Sequence, residues 1–328
     1  MINLQTNYMG LELKNPIIVG ASGLTGNIDS IKELAKAGAG AIILKSLFEE
    51  EITMKMENDM DSNSSQVYHT EMYDYLKVYG KQYIVEEYLK LIEDAKNEVD
   101  IPVIASINCM SSEEWVDFAK EVEKAGADGI ELNIFILPSN PKENDTINTY
   151  FEIAKKVSAI VSIPISLKIS SYFDNVAKTL IELSHHDIKG LVLFNRFYSP
   201  DIDIDKEKII AGNYYTTQND MANSLRWTGI MKNMVDCDLC ASTGIHDGND
   251  IIKFILAGSS AIQMVSSIYE NSSDVISKSL IEITSWMAKH KYSNISQFKG
   301  KLAKSSQDKN SVFERVQFLK YFGTHDKE

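Results

Sequence analysis

At 328 residues, with 44% hydrophobic and 24% charged residues, the chain has the apolar content of a large globular core, which excludes a disordered chain and a coiled coil. Its formal net charge of −13, without any basic cluster, would repel phosphate backbones, so we expect no nucleic-acid partner. The sequence shows no signal-peptide pattern, no long apolar run and only three cysteines, which predicts a cytoplasmic protein with no membrane partner.

Short apolar runs alternate with helical patterns from residue 16 to residue 264, which is typical of successive βαβ units. Segments between the runs, such as IDSIKELAKAGAG and GNDIIKFILAGSS, carry apolar residues three and four apart and end in or near Gly, as amphipathic helices do. The runs predict eight parallel strands at residues 16–20, 41–45, 102–107, 129–133, 165–169, 190–194, 238–242 and 261–264.

Eight such units predict an α/β fold, a (β/α)8 TIM barrel forming a single domain over residues 1–328. The alternative, a doubly wound open sheet, would carry G-x-G-x-x-G after its first strand, and this chain does not. Residues 47–80 and 196–221 interrupt the alternation and are predicted to be extended βα loops that act as lids or site walls. A helical tail is predicted over residues 305–328, where 312–323 have an amphipathic pattern.

Polar residues stand where the predicted strands end, which is the face of a TIM barrel that carries its chemistry. A Lys or Asn side chain directed into an apolar barrel costs free energy unless it is paired. A whole set in register therefore predicts a polar ligand at the barrel mouth. The set comprises Ser22, Lys45, Ser46, Asn108, Asn133, Lys168 and Asn195.

The last two units carry the pattern of a phosphate site. Ser242-Thr243-Gly244-Ile245 follows the seventh strand, a helix is predicted to begin near Asn249, and Ser266 follows the eighth strand. In many TIM barrels, backbone N–H groups and the N-terminus of a short helix bind a phosphate here. Such a site needs no basic patch, so an acidic chain can hold a phosphorylated cofactor.

These motifs resemble those of the dihydroorotate dehydrogenase family, in particular its soluble, FMN-binding branch. The resemblance covers residues 3–304. It is carried by the phrases LELKNPIIVGASG, GAGAIILKS, ELN, PISLKISSYFD, STGIHDGNDIIKFILAGSSAIQM and YSNISQFKGKL.

The resemblance implies an FMN-dependent oxidoreductase of pyrimidine metabolism that acts on dihydroorotate or a related dihydropyrimidine, and it implies a homodimer. Asn133, Asn195 and Asn140 would bind the substrate, and either Lys45 or Lys168 would stabilise the negative charge of the reduced flavin ring. By the same resemblance, the ring would be surrounded by Ala21, Ser22, Lys45, Ser46, Asn108, Asn133, Lys168 and Asn195, and the phosphate by Thr243, Gly244 and Ser266.

The chain departs from the family where the catalytic base should stand. Family members follow the strand-four asparagine with an S-C-P-N-like loop whose Cys or Ser removes a proton, whereas this chain reads NIFILPSN over residues 133–140. Apolar side chains cannot accept a proton, which leaves Ser139 and Cys109 as candidate bases.

The sequence also departs from the family in the loops that correspond to its substrate-binding and phosphate-binding segments. The loop after strand two lacks the family's N-S-M-G-like phrase. Its aromatic residues either form a different pocket or only cover the barrel rim; they are Tyr68, His69, Tyr73 and Tyr75. Bulky residues follow Asn195, and residues 226–229 (RWTG) replace a glycine-rich phrase that contacts the FMN phosphate.

Three alternatives stay open besides dihydroorotate oxidation, and the electron acceptor is open as well. They are a flavoprotein with a different substrate, a flavin-binding protein without turnover, and a Schiff-base lyase that uses Lys168. No metal-ligand pattern stands out, and Cys237 and Cys240, although spaced C-x-x-C, are predicted to be packing residues.

Overall fold

The structure, a computed structural model, describes residues 2–48, 70–108, 112–134, 136, 146–196, 199–304 and 313, with the backbone alone for 70–81, 112–114 and 146. The strands are β1 (Thr6–Tyr8), β2 (Leu11–Leu13), β3 (Ile17–Val19), β4 (Ala41–Ile43), β5 (Leu47–Phe48), β6 (Val103–Asn108), β7 (Gly129–Asn133), β8 (Ile165–Ile169), β9 (Gly190–Leu193), β10 (Pro200–Asp203), β11 (Lys208–Ala211), β12 (Asp238–Ala241) and β13 (Ala261–Met264). The helices are α1 (Ile28–Lys36), α2 (Thr70–Glu98), α3 (Ser112–Lys124), α4 (Thr146–Ser158), α5 (Val176–Ser184), α6 (Met221–Met231), α7 (Gly248–Ala257), α8 (Ser266–Asn271) and α9 (Asp274–Lys289).

Eight parallel strands close into a barrel with helices between them. The strands neighbour one another in the order β4-β3-β13-β12-β9-β8-β7-β6, and β4 pairs with β6 to close the ring. Each predicted run contains one of these strands, although β6 extends one residue further, to Asn108. The predicted TIM barrel is therefore confirmed.

Side chains on the barrel strands alternate between two cores, because successive residues of a strand face opposite sides. Outward-facing residues such as Ile130 and Leu167 pack against the helices. Inward-facing strand residues form a smaller core in the barrel interior together with Tyr8, Met9 and Leu13 of the β1–β2 hairpin; the strand residues are Ile18, Ala41, Ile43, Ile104, Val192, Cys240 and Ala261. Apolar side chains thus fill the barrel interior, and the polar inward-facing side chains lie nearer the mouth.

The first predicted excursion is shorter than the sequence analysis expected. Residues 70–80, assigned to it there, are the first turns of α2, a single 29-residue helix between β5 and β6. That part of the prediction is wrong, because helical pairing of the backbone continues without a break up to Glu98. Residues 49–69 lie outside the described part of the chain, so their proposed role as a lid stays a prediction.

The second excursion contains an antiparallel hairpin of β10 and β11 and a short 3-10 helix, Gln218–Asp220. Ile202 and Ile209 lie opposite each other on the two strands, and both are exposed. Arg196 ties the return of this excursion to the barrel mouth by donating to the carbonyl oxygens of Asn213 and Tyr214, each at 2.8 Å.

Of the predicted helical tail, the structure describes Phe313, and the remainder lies outside the described residues. The Phe313 ring packs against Gly229 of α6 so closely that a Cβ atom at residue 229 would stand 2.5 Å from the ring. Within the described ranges, none of the helices combines the length and the apolar character needed to cross a lipid bilayer.

Candidate functional site

A chain of hydrogen bonds crosses the barrel mouth and joins predicted site residues. Asn195 Nδ2 donates to Asn133 Oδ1 at 2.6 Å, and Asn133 Nδ2 donates to Ser46 Oγ at 3.4 Å. The hydroxyl oxygens of Ser46 and Ser106 are 2.7 Å apart. Because Asn133 donates and accepts at once, its amide has one orientation in this network. Asn108 is also buried here, at the end of β6.

Lys168 belongs to a second polar set, which reaches deeper into the barrel at Glu131, two residues before Asn133 in β7. Its Nζ donates to Gln263 Oε1 at 3.0 Å and lies 3.9 Å from Glu131 Oε1. The amide of Gln263 in turn donates to Glu131 Oε2. Burial raises the pKa of the Glu131 carboxyl, while the Lys168 ammonium and the Gln263 hydrogen bond oppose the rise.

One cavity of about 250 Å³ connects this deep set to the predicted phosphate segment. Its converging polar groups are typical of a small-molecule site. The cavity is lined by Lys168, Asn195, Thr243, Gly244, Gln263 and Ser266, among others.

The Thr243-Gly244 turn has an unusual backbone. Both residues have positive φ, +78° for Thr243 and +77° for Gly244. Such a conformation is unfavourable for a β-branched residue and is found mainly where function requires it. A side chain at residue 244 is also excluded, since a Cβ atom there would lie 2.4 Å from the Met221 backbone N.

The helix N-terminus expected to hold the phosphate is occupied by carboxylates. The predicted helix begins at Gly248, whose N–H donates to Glu282 Oε2 at 2.7 Å, and Asp247 Oδ1 accepts from Asp250 N at 2.9 Å. The buried Asp250 also accepts from His246 N. Carboxylates thus accept from the N–H groups of Gly248 and Asp250 at the start of α7, and phosphate binding by a helix N-terminus in this segment stays a prediction.

Ser266 is the other predicted phosphate residue, and it opens the short α8 directly after β13. Its Oγ accepts a hydrogen bond from Thr216 N at 3.0 Å. Ser266 and the Thr243-Gly244 turn both line the cavity, whereas Gly248 is not among its lining residues.

The remaining described candidates lie at the barrel mouth but in other surroundings. Lys45 is half-buried beside Gly26 and lines a neighbouring cavity of about 400 Å³ together with Ser46. Ala21 packs against the inner core, and Ser22 Oγ donates to the carbonyl oxygen of Gly20 at 3.3 Å. Their contacts with a flavin ring stay predictions.

Several candidates fall outside the described residues: Tyr68, His69, Cys109, Ser139 and Asn140. Tyr73 and Tyr75 lie in α2, where the backbone alone is described. The identity of the catalytic base is therefore untested.

Two further predictions concern segments around α6 and β12. Residues 226–229, which replace the family's glycine-rich phrase, lie inside α6, where Thr228 Oγ1 donates to the Ser224 carbonyl oxygen. Burial raises the pKa of the Cys237 thiol to about 12 and that of Cys240 well above its usual value, which suits packing rather than redox chemistry.

Sequence reasoning gave no role to Glu131 or Gln263, although both interrupt apolar strand patterns. The alternation of side chains along a strand could have identified both residues as inward-facing. Glu131 is two residues before Asn133, and Gln263 stands between Ile262 and Met264. An inward-facing carboxylate or amide below the mouth requires a polar partner inside the barrel.

Comparisons with known proteins agree with this geometry. The family model for dihydroorotate dehydrogenase matches residues 3–287. The catalytic subunit of dihydroorotate dehydrogenase B (NAD(+)) from Methanocaldococcus jannaschii is 31% identical over 299 residues, 87% of this chain and 93% of that protein. Its counterpart from Thermoplasma volcanium is 23% identical over 92% of this chain and 98% of its own length. Dihydroorotate dehydrogenase A (fumarate) from Lactobacillus delbrueckii subsp. bulgaricus is 22% identical over 83% of this chain and 89% of its own length.

Proposed function

The chain belongs to the dihydroorotate dehydrogenase family of oxidoreductases, and we propose from this premise that it binds FMN at the barrel mouth and oxidises dihydroorotate. The observation that carries the proposal is the single cavity that contains both Lys168 and the Thr243-Gly244 turn. Flavin mononucleotide also has two ends: a ring that accepts electrons, which would face Lys168, and a phosphate, which would face the turn. Bound FMN would supply the acceptor for the hydride that leaves the substrate.

The residues present suit this cofactor at both ends. The Lys168 ammonium offers positive charge where a reduced flavin ring gains negative charge. The Thr243-Gly244 turn lines the cavity, and backbone N–H groups of such turns can bind an anion without basic side chains. We assign the ring end to Lys168 and the phosphate end to Thr243, Gly244 and Ser266.

The substrate would lie against the Asn133–Asn195 pair. The 2.6 Å hydrogen bond between the two amides fixes Asn195 in place and leaves its carbonyl oxygen as a potential acceptor for a substrate N–H. Asn140 is the third amide of this proposed subsite. Ser139 or Cys109 would remove the proton.

A second candidate function, a flavoenzyme with a different substrate, is favoured by the segment after β7. Ile134 is buried, and Ile136 packs against the outer core, in the stretch where the family carries its base. Arg196 brings a guanidinium to the cavity lining directly after Asn195. The guanidinium in the lining and the missing base both favour a substrate other than dihydroorotate.

An anaerobic visible spectrum, recorded before and after dihydroorotate is added, separates these functions. We expect a yellow protein that bleaches, because hydride transfer to the ring removes its visible absorption. A yellow protein that stays yellow would favour the second candidate or a flavin-binding protein without turnover. A colourless protein that takes up no added FMN would refute the proposal, and borohydride trapping with carbonyl substrates would then test the Schiff-base alternative at Lys168.

The names of the relatives suggest acceptors for the electrons. We propose testing NAD⁺, which the names of the B-type catalytic subunits give, and fumarate, which the A-type names give. We further propose a cytoplasmic homodimer. Light scattering should give twice the chain mass of 36.8 kDa, and a monomer mass would contradict the homodimer.

A further inference from the structure

Glu131 is a buried carboxylate directly below the cavity, and the proposed reaction gives it no task. It lies on the inward face of β7, two residues before Asn133, with 0% of its surface exposed. A carboxylate in such a place is costly unless charge and hydrogen bonds compensate for the lost water. Its partners therefore indicate why the barrel tolerates it.

Those partners are Gln263 and Lys168, which reach it from two other strands. Gln263 lies between them: its amide N–H donates to Glu131 Oε2, and its Oε1 accepts from Lys168 Nζ at 3.0 Å. Both ends of the Gln263 amide are thus engaged, which fixes its orientation.

The second oxygen of Glu131 forms an ion pair with Lys168 without a hydrogen bond. Glu131 Oε1 is 3.9 Å from Lys168 Nζ, beyond hydrogen-bond distance, and it has no hydrogen-bond partner among the described residues. An ammonium has three N–H donors. Here one is directed to Gln263, so the ammonium is anchored on one side while Lys168 still lines the cavity.

We propose that Glu131 and Gln263 are positioning residues, which hold the Lys168 ammonium at the floor of the cavity and set how readily a flavin bound there is reduced. The inference rests on the proposed FMN site. It extends that site by a buried counter-ion whose charge offsets part of the Lys168 charge.

The sign of the effect follows from the charges. Reduction places negative charge on the ring, which the ammonium stabilises and the nearby carboxylate opposes. Replacing Glu131 by the isosteric Gln removes the opposing charge and leaves the ammonium in place. Reduction should become more favourable.

Glu131 should act through Lys168. Without the ammonium, only the Gln263 hydrogen bond opposes the desolvation that raises the pKa of Glu131, so the negative charge on Glu131 is disfavoured and its replacement by Gln should change the reduction equilibrium less. A purely structural role for Glu131 predicts no such dependence on Lys168.

The test is a set of four proteins, the wild type, Glu131→Gln, Lys168→Met and the double variant, purified with bound FMN. The midpoint potential is measured by anaerobic equilibration with a dye of known potential. Glu131→Gln should shift the reduction equilibrium at least tenfold toward the reduced form, about 30 mV for two electrons. Lys168→Met should shift it in the opposite direction, and Glu131→Gln should have less than a twofold effect when residue 168 is Met.

Asp128→Asn is the matched control. Asp128 pairs with Lys96 at 2.7 Å just before β7, and the Lys96 and Asp128 side chains are both partly exposed. Asp128→Asn removes a carboxylate that pairs with a lysine and does not line the cavity. The reduction equilibrium should therefore stay within twofold of that of the wild type.

Two results would overturn the inference alone: an unchanged potential in Glu131→Gln, or an equal shift with Lys and Met at residue 168. If Glu131→Gln does not fold, Glu131→Met removes the same charge at similar volume and should give the same shift. Failure of both variants to fold would assign Glu131 to stability only and contradict the inference. A wild-type protein without FMN, seen in its spectrum before any potential is measured, would refute the proposed function and this inference together.

Discussion

Glu131 has no water contact in the described structure, and burial is the main cause of its raised pKa. A carboxyl with a raised folded-state pKa binds protons more tightly in the folded than in the unfolded protein. Its folded state is therefore favoured below the unfolded pKa, near 4.5, and loses stability as the pH rises toward the folded value. Gln at residue 131 does not titrate, so we expect the free energy of unfolding of Glu131→Gln to rise relative to that of the wild type as the pH increases above 4.5, measured by urea unfolding.

Glu123, near the end of α3, is a matched control because its pKa is shifted in the opposite direction. The Ser162 hydroxyl and backbone N–H groups donate to its carboxylate and lower its pKa, so its stabilisation is present above the unfolded pKa and is lost as the pH falls. Glu123→Gln should therefore lose stability relative to the wild type as the pH rises from acid. The same trend in both variants would show that the pH dependence does not come from these two carboxyls.

At the scale of elements, strands were more predictable from sequence than the contacts between them. The apolar run that contains β7 specifies a buried strand locally, and the register then brings Asn133 beside Lys168. The partner of Glu131, however, is Gln263, which lies 132 positions further along the chain. No local pattern encodes that pairing, which arises only when the barrel closes.

The phosphate segment shows the same limit in another way. The sequence placed Thr243-Gly244 directly after a strand, but it gave no sign that Thr243 also has a positive φ, +78°. The acceptor at the start of the next helix also comes from a distant part of the chain, since Glu282 of α9 accepts from Gly248 N. Residues 226–229 show a further distant contact, because Gly229 of α6 makes room for the ring of Phe313.

The contact between α6 and Phe313 leads to a prediction for the whole helix. Gly229→Ala would place a methyl group 2.5 Å from the Phe313 ring, so one of them must move, at a cost of about 1–3 kcal/mol of stability. In a Phe313→Ala background the clash is absent, and Ala in a helix interior is better than Gly by up to about 1 kcal/mol. The substitution should then be neutral or stabilising, as urea unfolding of the four proteins can show. Stabilisation by Gly229→Ala in both backgrounds would mean that Phe313 does not pack on α6.

At the scale of the whole molecule, the barrel separates stability from chemistry along its axis. The inner core, with Tyr8 contributed by the β1–β2 hairpin, fills the interior below the polar sets, while Lys168 and the asparagine pair lie toward the mouth. Such a division is general in TIM barrels. It implies that substitutions in the inner core and at the mouth should have separable effects.

Tyr8 offers the sharpest test of this separation. Its ring has 0% exposure and packs against Gly190 so closely that a Cβ atom at residue 190 would lie 2.8 Å from the Tyr8 hydroxyl oxygen. Tyr8→Ala should lower the free energy of unfolding by about 3–5 kcal/mol, since it empties a filled site in the core. In the folded variant, FMN affinity measured by fluorescence titration should stay within threefold of the wild type, because no mouth residue has moved. Tyr83→Ala, at a side chain with 61% exposure, is the matched control and should change stability by less than about 0.5 kcal/mol. A loss of FMN affinity in Tyr8→Ala well beyond threefold would show that the inner core shapes the mouth directly.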